Sequence, residues 1–273
     1  MRESERTFRS WVQPPPIAGR LWLAVAGSAA YAAGVWAVRD SVSGPPPAWA
    51  AQLAVVNTAV LSLLISFRTK VAYDRWWEGR VLWAQLVNHA RNLCLKARAL
   101  VELDAAERRA LADLVAAFPV ALARHLRGPG RTGGNAEPAR AAGRLMAVTA
   151  GWRAGGRVDG HTLRAFDAHT AALMDVCGGC ERVRDTPPPA SYLALLRHGL
   201  VLGFVLAPWA LVPALGLWCL PAQAVAVYFL FGLELTAEEL EQPFGGDAAD
   251  LPLEAYCDAI RASADDILTG DKW

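Results

Sequence analysis

Charge is missing from three long stretches of this chain. Leu21–Val38, Ser41–Phe67 and Gly199–Leu233 contain no Asp, Glu, Lys or Arg. A soluble domain seldom leaves such runs, and a bilayer-spanning helix needs about 20 apolar residues. The first two stretches each hold one span. The third is long enough for two, with Pro213, Gly216 and Pro221 marking a turn between them. The expectation is an all-α membrane protein with four transmembrane helices, at roughly 20–38, 49–67, 192–212 and 218–236. Alternating apolar and polar residues are also scarce, so no β pattern competes with the helical ones. No internal repeat is apparent. Net charge is close to zero, +1 over 273 residues, which excludes a global field that would gather nucleic acid. Hydrophobic residues make up 54% of the chain, above the roughly 45–50% of ordinary globular domains, and mean hydropathy is +0.22.

Catalytic signatures are missing as well. There is no HExxH, no glycine-rich phosphate loop and no nucleophile–base pair. His89 and His169 fall in amphipathic helices, where packing or solvation accounts for them. The chain therefore does not read as an enzyme, and no catalytic residue, cofactor or metal is expected. A secondary transporter calls for ionisable residues or broken helices at the bilayer midplane. The second span has neither, and Pro208 in the third has no charged neighbour. Cysteines number five and are scattered, at 94, 177, 180, 219 and 257; an odd count, mostly cytoplasmic, points to reduced thiols. Cys177-Gly-Gly-Cys180 has metal-ligand spacing but no second pair, which favours a structural role.

The charges that are present set the orientation. Arg2, Arg6, Arg9 and Arg20 precede the first span, Arg68, Lys70, Arg75 and Arg80 follow the second, and Arg182, Arg184 and Arg197 precede the third. The opposite connections carry only Arg39 and Asp40, or no charge at all. Both termini and the large middle region are thus expected in the cytoplasm. The first span lacks a clear cleavage site before Pro45-Pro46-Pro47 and does not read as a signal peptide. The organisation is a cytoplasmic lead over 1–19, two spans within 20–67, a cytoplasmic helical region over 68–191, two spans within 192–236 and a cytoplasmic tail over 237–273.

Gly and Pro are absent from Ala48 to Glu78. The segment LSLLISFRTKVAYDRWWEGR (Leu61–Arg80) passes from an apolar run into a charged, tryptophan-rich one without a turn signal. One continuous helix is expected to leave the membrane as a stalk, which suits a pore-lining element better than an anchor. Beyond it, apolar residues at 83, 86, 87, 90, 93, 94, 97, 100 and 101 keep the helical period. Asp104 is a candidate N-cap for a helix over 105–126, bent by Pro119. Arg127–Glu137 reads as a loop, and helices are expected at 138–150, 160–178 and 251–268.

The run SFRTKVAYDRWWEGRVLWAQLVNHARNL (Ser66–Leu93) closely resembles the second-helix signature of the bestrophin family in its bacterial form. CGGCERVRDTPPPASYLALLRH (Cys177–His198) resembles the segment leading into the third span. AEELEQPFGGDAADLPLEAYC (Ala237–Cys257) resembles the family's Pro-Phe-Gly region with its trailing Asp-Leu-Pro-Leu. With the spans, the resemblance covers nearly the whole chain and is weakest over 105–160.

The resemblance implies a homopentamer in the lipid bilayer around a central pore that passes monovalent ions. Chloride or other anions are favoured, with sodium or other cations as the alternative. It implies an apolar neck on the second helix, and counting back from Arg75-Trp76-Trp77 gives Phe67, Leu63 and Ala59. Rings of apolar side chains at a constriction gate by dewetting. Ser62 and Ser66 share a neighbouring face and are the alternative pore lining, or points of close helix approach. A second, cytosolic aperture is implied at His161, where a ring of histidines would titrate near neutral pH; a surface histidine at a helix start is the plainer alternative. Arg75, Trp76, Trp77 and Glu78, with Pro243, Phe244 and Gly245, are motif residues with a structural role. Glu234, Glu238, Glu239 and Glu241 crowd a helix C-terminus, oppose its dipole and call for cationic partners, with Arg75 and Arg80 as candidates. Eukaryotic members bind calcium just after Pro-Phe-Gly. Here only Asp247 and Asp250 remain in that stretch, too few carboxylates for a tight site; a turn and the N-cap of the last helix account for them.

Overall fold

In the computed structural model, residues 17–39, 48–128, 136–247 and 249–270 are described. The basic lead with Arg2, Arg6, Arg9 and its prolines, the Asp40–Pro47 connection, Ala248 and most of the expected loop before Glu137 lie outside them. The helices are α1 (Ala18–Val38), α2 (Ala48–Leu100), α3 (Ala105–Arg127), α4 (Ala136–Ala154), α5 (Gly160–Asp185), α6 (Ala190–Leu215), α7 (Cys219–Leu240) and α8 (Leu253–Thr269), with a short 3-10 turn at Gly216–Trp218. No strand occurs among the described residues.

The 53-residue α2 is the continuous helix that the missing Gly and Pro predict. At 1.5 Å per residue it is about 80 Å long, far more than the roughly 30 Å of a bilayer's hydrocarbon core. It runs through two compact units, residues 1–73 with 188–241, and 74–187 with 242–273. The unit boundaries fall a few residues beyond the ends of the charge-free runs. The reason is physical: Arg68, just past the apolar stretch, is buried among the helices of the first unit, so packing continues past the first charge.

In the first unit, α1, the N-terminal part of α2, α6 and α7 lie against one another in alternating directions. Leu21 meets α7 at Gly232 while Ala32 and Val35 pack with Cys219. Leu61 and Ile65 of α2 pack on Leu196 and Leu200 of α6. Gly199 and Gly203 allow that approach: a Cβ at either would stand 2.9 Å from a Leu61 methyl. They form the small-xxx-small spacing that brings membrane helices close. α6 continues through Pro208 and Pro213 to Leu215, beyond the expected end at 212. The chain turns instead at Gly216, whose φ of +54° only glycine adopts without strain. Among the described residues, three regions are long and apolar enough to span a membrane: Ala18–Val38, Val55–Leu100 and Ala190–Leu240. The last contains both α6 and α7.

In the second unit, α3 packs on α8, α4 and α5. Trp83, Leu86, Leu93 and Cys94 of α2 share one core with Phe118, Phe166, Leu173 and Ile260. Asp104 caps α3 as expected, in a reciprocal box with Glu107. Pro119 lies buried inside that helix. The last helix departs from expectation. It starts at Leu253 behind Pro252, without a side-chain cap, and Asp250 is not its N-cap. Asp250 instead turns back and accepts from the Asp247 amide at 2.6 Å.

Candidate ion pathway and its supports

Side chains on an α-helix advance about 100° per residue. Leu61, Ile65, Arg68 and Ala72 are buried on one face of α2. Ala59 and Leu63 fall nearly opposite that face, and Phe67 lies about 130° round from it. All three are exposed in this chain, Leu63 by 58% and Phe67 by 54%. The three residues that the motif count singles out are thus the bare back of a packed helix. Ser62 and Ser66 are also exposed, but their hydroxyls donate to the Thr58 and Ser62 carbonyls of their own helix, as serines in membrane helices commonly do.

Arg68 follows Phe67 directly and is buried. Its guanidinium is 1% exposed. Its Nε lies 3.3 Å from Glu234 Oε2 and its Nη2 2.6 Å from Glu241 Oε2. Arg197 reaches Glu234 at 3.1 Å and Glu238 at 3.7 Å, and Arg20 reaches Glu238 at 3.2 Å. The acidic end of α7 is therefore tied to arginines of α1, α2 and α6. The sequence pointed to Arg75 and Arg80 for this task and missed these three. Their partners lie far away in the chain, and no local pattern reports them. Buried between carboxylates, Arg68 cannot lend its charge to an ion pathway.

Arg75 donates instead to the Val183 and Thr186 carbonyls at the end of α5, which a helix leaves without partners of its own. Arg80 stacks over the rings of Trp76 and Trp77 at 5.8 and 5.3 Å. Glu78 pairs with Arg182, and Trp76 Nε1 donates to the Ala249 carbonyl at 3.1 Å. The Pro243-Phe244-Gly245 loop closes on this motif. Phe244 is buried, and a Cβ at Gly79 would sit 3.1 Å from its ring and 3.2 Å from Leu251. Leu251 donates to the Pro243 carbonyl, and Arg127 to that of Gly245. A Cβ at Gly245 would meet Asp250 Oδ2 at 2.7 Å. The two motifs thus form one bracket on α2. Burial pushes the Asp250 carboxyl above the usual carboxylate range. Because Gly79 is walled by a ring and a leucine, Gly79→Val is expected to destabilise the protein by about 1–3 kcal/mol through overpacking. Thermal unfolding followed by tryptophan fluorescence measures it, and an unchanged midpoint would show that the bracket yields.

His161 lies exposed in the first turn of α5, beside the N-cap Asp159 that holds the Thr162 amide. Cys177 and Cys180 are both buried. Burial pushes the Cys177 thiol up to about 12 and the Cys180 thiol further still. Gly179 between them lets α5 approach Leu82, which a Cβ there would meet at 2.7 Å. Both thiols are expected to resist N-ethylmaleimide at pH 8 in the folded protein and to react once it is denatured in SDS. Peptide mapping reads this out, and native labelling at 177 or 180 would overturn the packing role. Among the described residues no cluster of three or more His, Cys, Asp or Glu side chains is arranged to hold a metal.

The apolar helices and their arrangement define an integral membrane protein. The chain matches the family model of bacterial and fungal bestrophin proteins over residues 7–150 and 131–266, and it belongs to the bestrophin family. A voltage-dependent anion channel-forming protein of Nostoc is 32% identical over 78% of this chain and 76% of its own length. A protein of the same name from Mesorhizobium japonicum is 36% identical over 72% and 68%. The crystal structure of a bacterial bestrophin homologue from Klebsiella pneumoniae superposes with a TM-score of 0.80 at 25% identity, over 93% of this chain and 98% of that one.

Proposed function

We propose that this protein is a subunit of a homopentameric channel that conducts monovalent ions passively, with anions favoured. The observation that carries the proposal is the bare face of α2. A helix packed on one side by Leu61, Ile65 and Arg68 presents Ala59, Leu63 and Phe67 on the other, and five copies facing an axis would form an apolar neck. α1, α2, α6 and α7 supply four spans, with both termini and the second unit on the cytoplasmic side of a bacterial inner membrane. The anion preference is supported by the names of the Nostoc and Mesorhizobium relatives.

A second reading is a cation-permeable pore, which the carboxylate of Asp74 on the same face of α2 would favour. Past Phe67 the same face of α2 continues through Lys70 and Asp74, both outside the buried core and of opposite sign. An apolar neck fixes no sign, so these two groups would weigh against each other. The test is the reversal potential of the reconstituted protein under an asymmetric salt gradient. Anion conduction places it near the chloride equilibrium potential. Asp74→Asn is expected to move it further that way and Lys70→Gln to move it back. Currents without unitary steps would contradict a channel altogether. If His161 rings the cytosolic aperture, His161→Ala changes the unitary conductance and the reversal potential. Unchanged values of both would remove it from the pore.

A further inference from the structure

A cleft of about 460 Å³ lies in the second unit, between α3, α4 and α8. Its lining is lopsided in charge. Arg124 of α3, Arg140 and Arg144 of α4 and Arg261 of α8 all border it, and Glu137 is the one carboxylate among the described lining residues. The rest of the lining is three alanines and Val120. All four arginines are exposed. Two of them have an acidic neighbour: Arg124 has Glu137 at 3.4 Å, and Arg261 has Asp113, just outside the lining, at 3.7 Å. Both pairs are long and solvated, and such pairs hold their charges weakly. Arg140 and Arg144 have no ion pair or hydrogen bond among the described residues. They stand one turn apart on α4, where like charges repel. Four guanidinium groups against two carboxylates leave the cleft two positive charges in excess, although the whole chain carries only +1. A concavity walled by one sign of charge concentrates ions of the other.

We propose that this cleft binds a small anion built of two or more linked phosphate groups. An excess of two positive charges asks for at least two negative ones. Guanidinium groups from three helices suit several acceptor oxygens spread over more than one group, and the planar fork of arginine takes phosphate oxygens in pairs. A halide answers one charge and leaves the other. An anion with a long apolar tail finds only alanines and one valine to lie on. No residue of α2 lines the cleft, and the test reads binding and not current, so the conduction proposal and this one stand or fall separately.

The test is isothermal titration calorimetry of the full-length protein in neutral detergent at neutral pH, with inorganic pyrophosphate as the probe and inorganic phosphate as the comparison. Pyrophosphate is expected to bind at least about tenfold more tightly than phosphate, the margin for one further charge-assisted contact. The double variant Arg140→Gln, Arg144→Gln should lose at least about tenfold in pyrophosphate affinity. The double variant Arg153→Gln, Arg164→Gln removes two exposed arginines outside the cleft and should keep the affinity within about twofold, because salt screens charges beyond about 10 Å. Without ligand, the Arg140→Gln, Arg144→Gln variant should melt no lower than wild type, since it relieves a repulsion; its lost affinity is then not a lost fold. Equal affinity for pyrophosphate and phosphate, equal losses in the two double variants, or a lower melting temperature of the unliganded cleft variant would each overturn the site. So would a lack of binding at millimolar pyrophosphate, the result expected if an acidic protein surface covers these arginines.

Discussion

Replacing Arg68 by Met is expected to destabilise the folded subunit by about 3–5 kcal/mol, the usual cost of removing one partner from a buried ion pair. The substitution keeps the volume but leaves Glu234 and Glu241 facing each other without their shared cation. Glu234 is 3% and Glu241 11% exposed at the side chain, so water cannot compensate either fully. For a chain of this size the loss corresponds to a fall in melting temperature on the order of 10 °C, measurable as the fraction that stays soluble and correctly sized after heating in detergent. The triple variant Arg68→Met, Glu234→Gln, Glu241→Gln removes both carboxylate charges with the cation and is expected to recover most of the loss, because replacing a whole buried ionic group is often neutral. Arg197 keeps a route to water, its side chain being 49% exposed, and tolerates the change at Glu234. The same geometry makes a second demand. Arg68→Lys keeps the charge but loses the planar fork, so it should weaken the protein and leave the reversal potential of the surviving channels where it was. A marked shift in that potential would mean that Arg68 faces the ions, and would overturn its placement.

Arg68 also shows where sequence reasoning stopped. A charge at the end of an apolar run reads as the end of the membrane, and the sequence places it in a cytoplasmic flank. Its glutamate partners lie 166 and 173 residues further on, a pairing that no local window contains. The Asp104–Glu107 box was legible because both halves lie within three residues, and the long α2 because the absence of Gly and Pro is local too. Gly79, Gly179, Gly199 and Gly203 look alike in the sequence, yet each marks a place where another element comes close. That is a property of the partner, not of the glycine. The last helix was placed two residues early because Asp before an apolar run is the pattern of an N-cap; the structure spends that carboxylate on the Asp247 amide. The neck positions came from the family motif. Periodicity left Ser62 and Ser66 as an alternative on a neighbouring face, and Ser66 and Phe67 lie about equally far round from the buried face of α2; the serines differ in that their hydroxyls are spent on carbonyls of their own helix.

Phe67→Ala is expected to give the largest change in conduction of any single substitution in this chain. If five copies of Phe67 form the narrowest apolar ring, each loses a phenyl group, the ring widens and water enters it more readily. A barrier lowered by only about 1.4 kcal/mol raises the rate of crossing about tenfold, and single-channel current at fixed voltage should rise on that order. Leu63→Ala should act in the same direction with a smaller effect, because less apolar bulk is removed. Ala59→Leu should act in the opposite direction, since it adds apolar bulk at a level where this sequence carries only a methyl group. Leu202→Ala on α6, exposed by 53% but away from α2's bare face, is the control and should change little. The ordering matters more than any one value. A dewetted neck requires current to follow apolar bulk at all three positions in turn, whereas a lipid-facing stripe would leave all three variants indistinguishable from Leu202→Ala. Cysteine at Phe67 separates the cases independently: in a pore it reacts with a charged methanethiosulfonate reagent and blocks current, and in lipid it does neither.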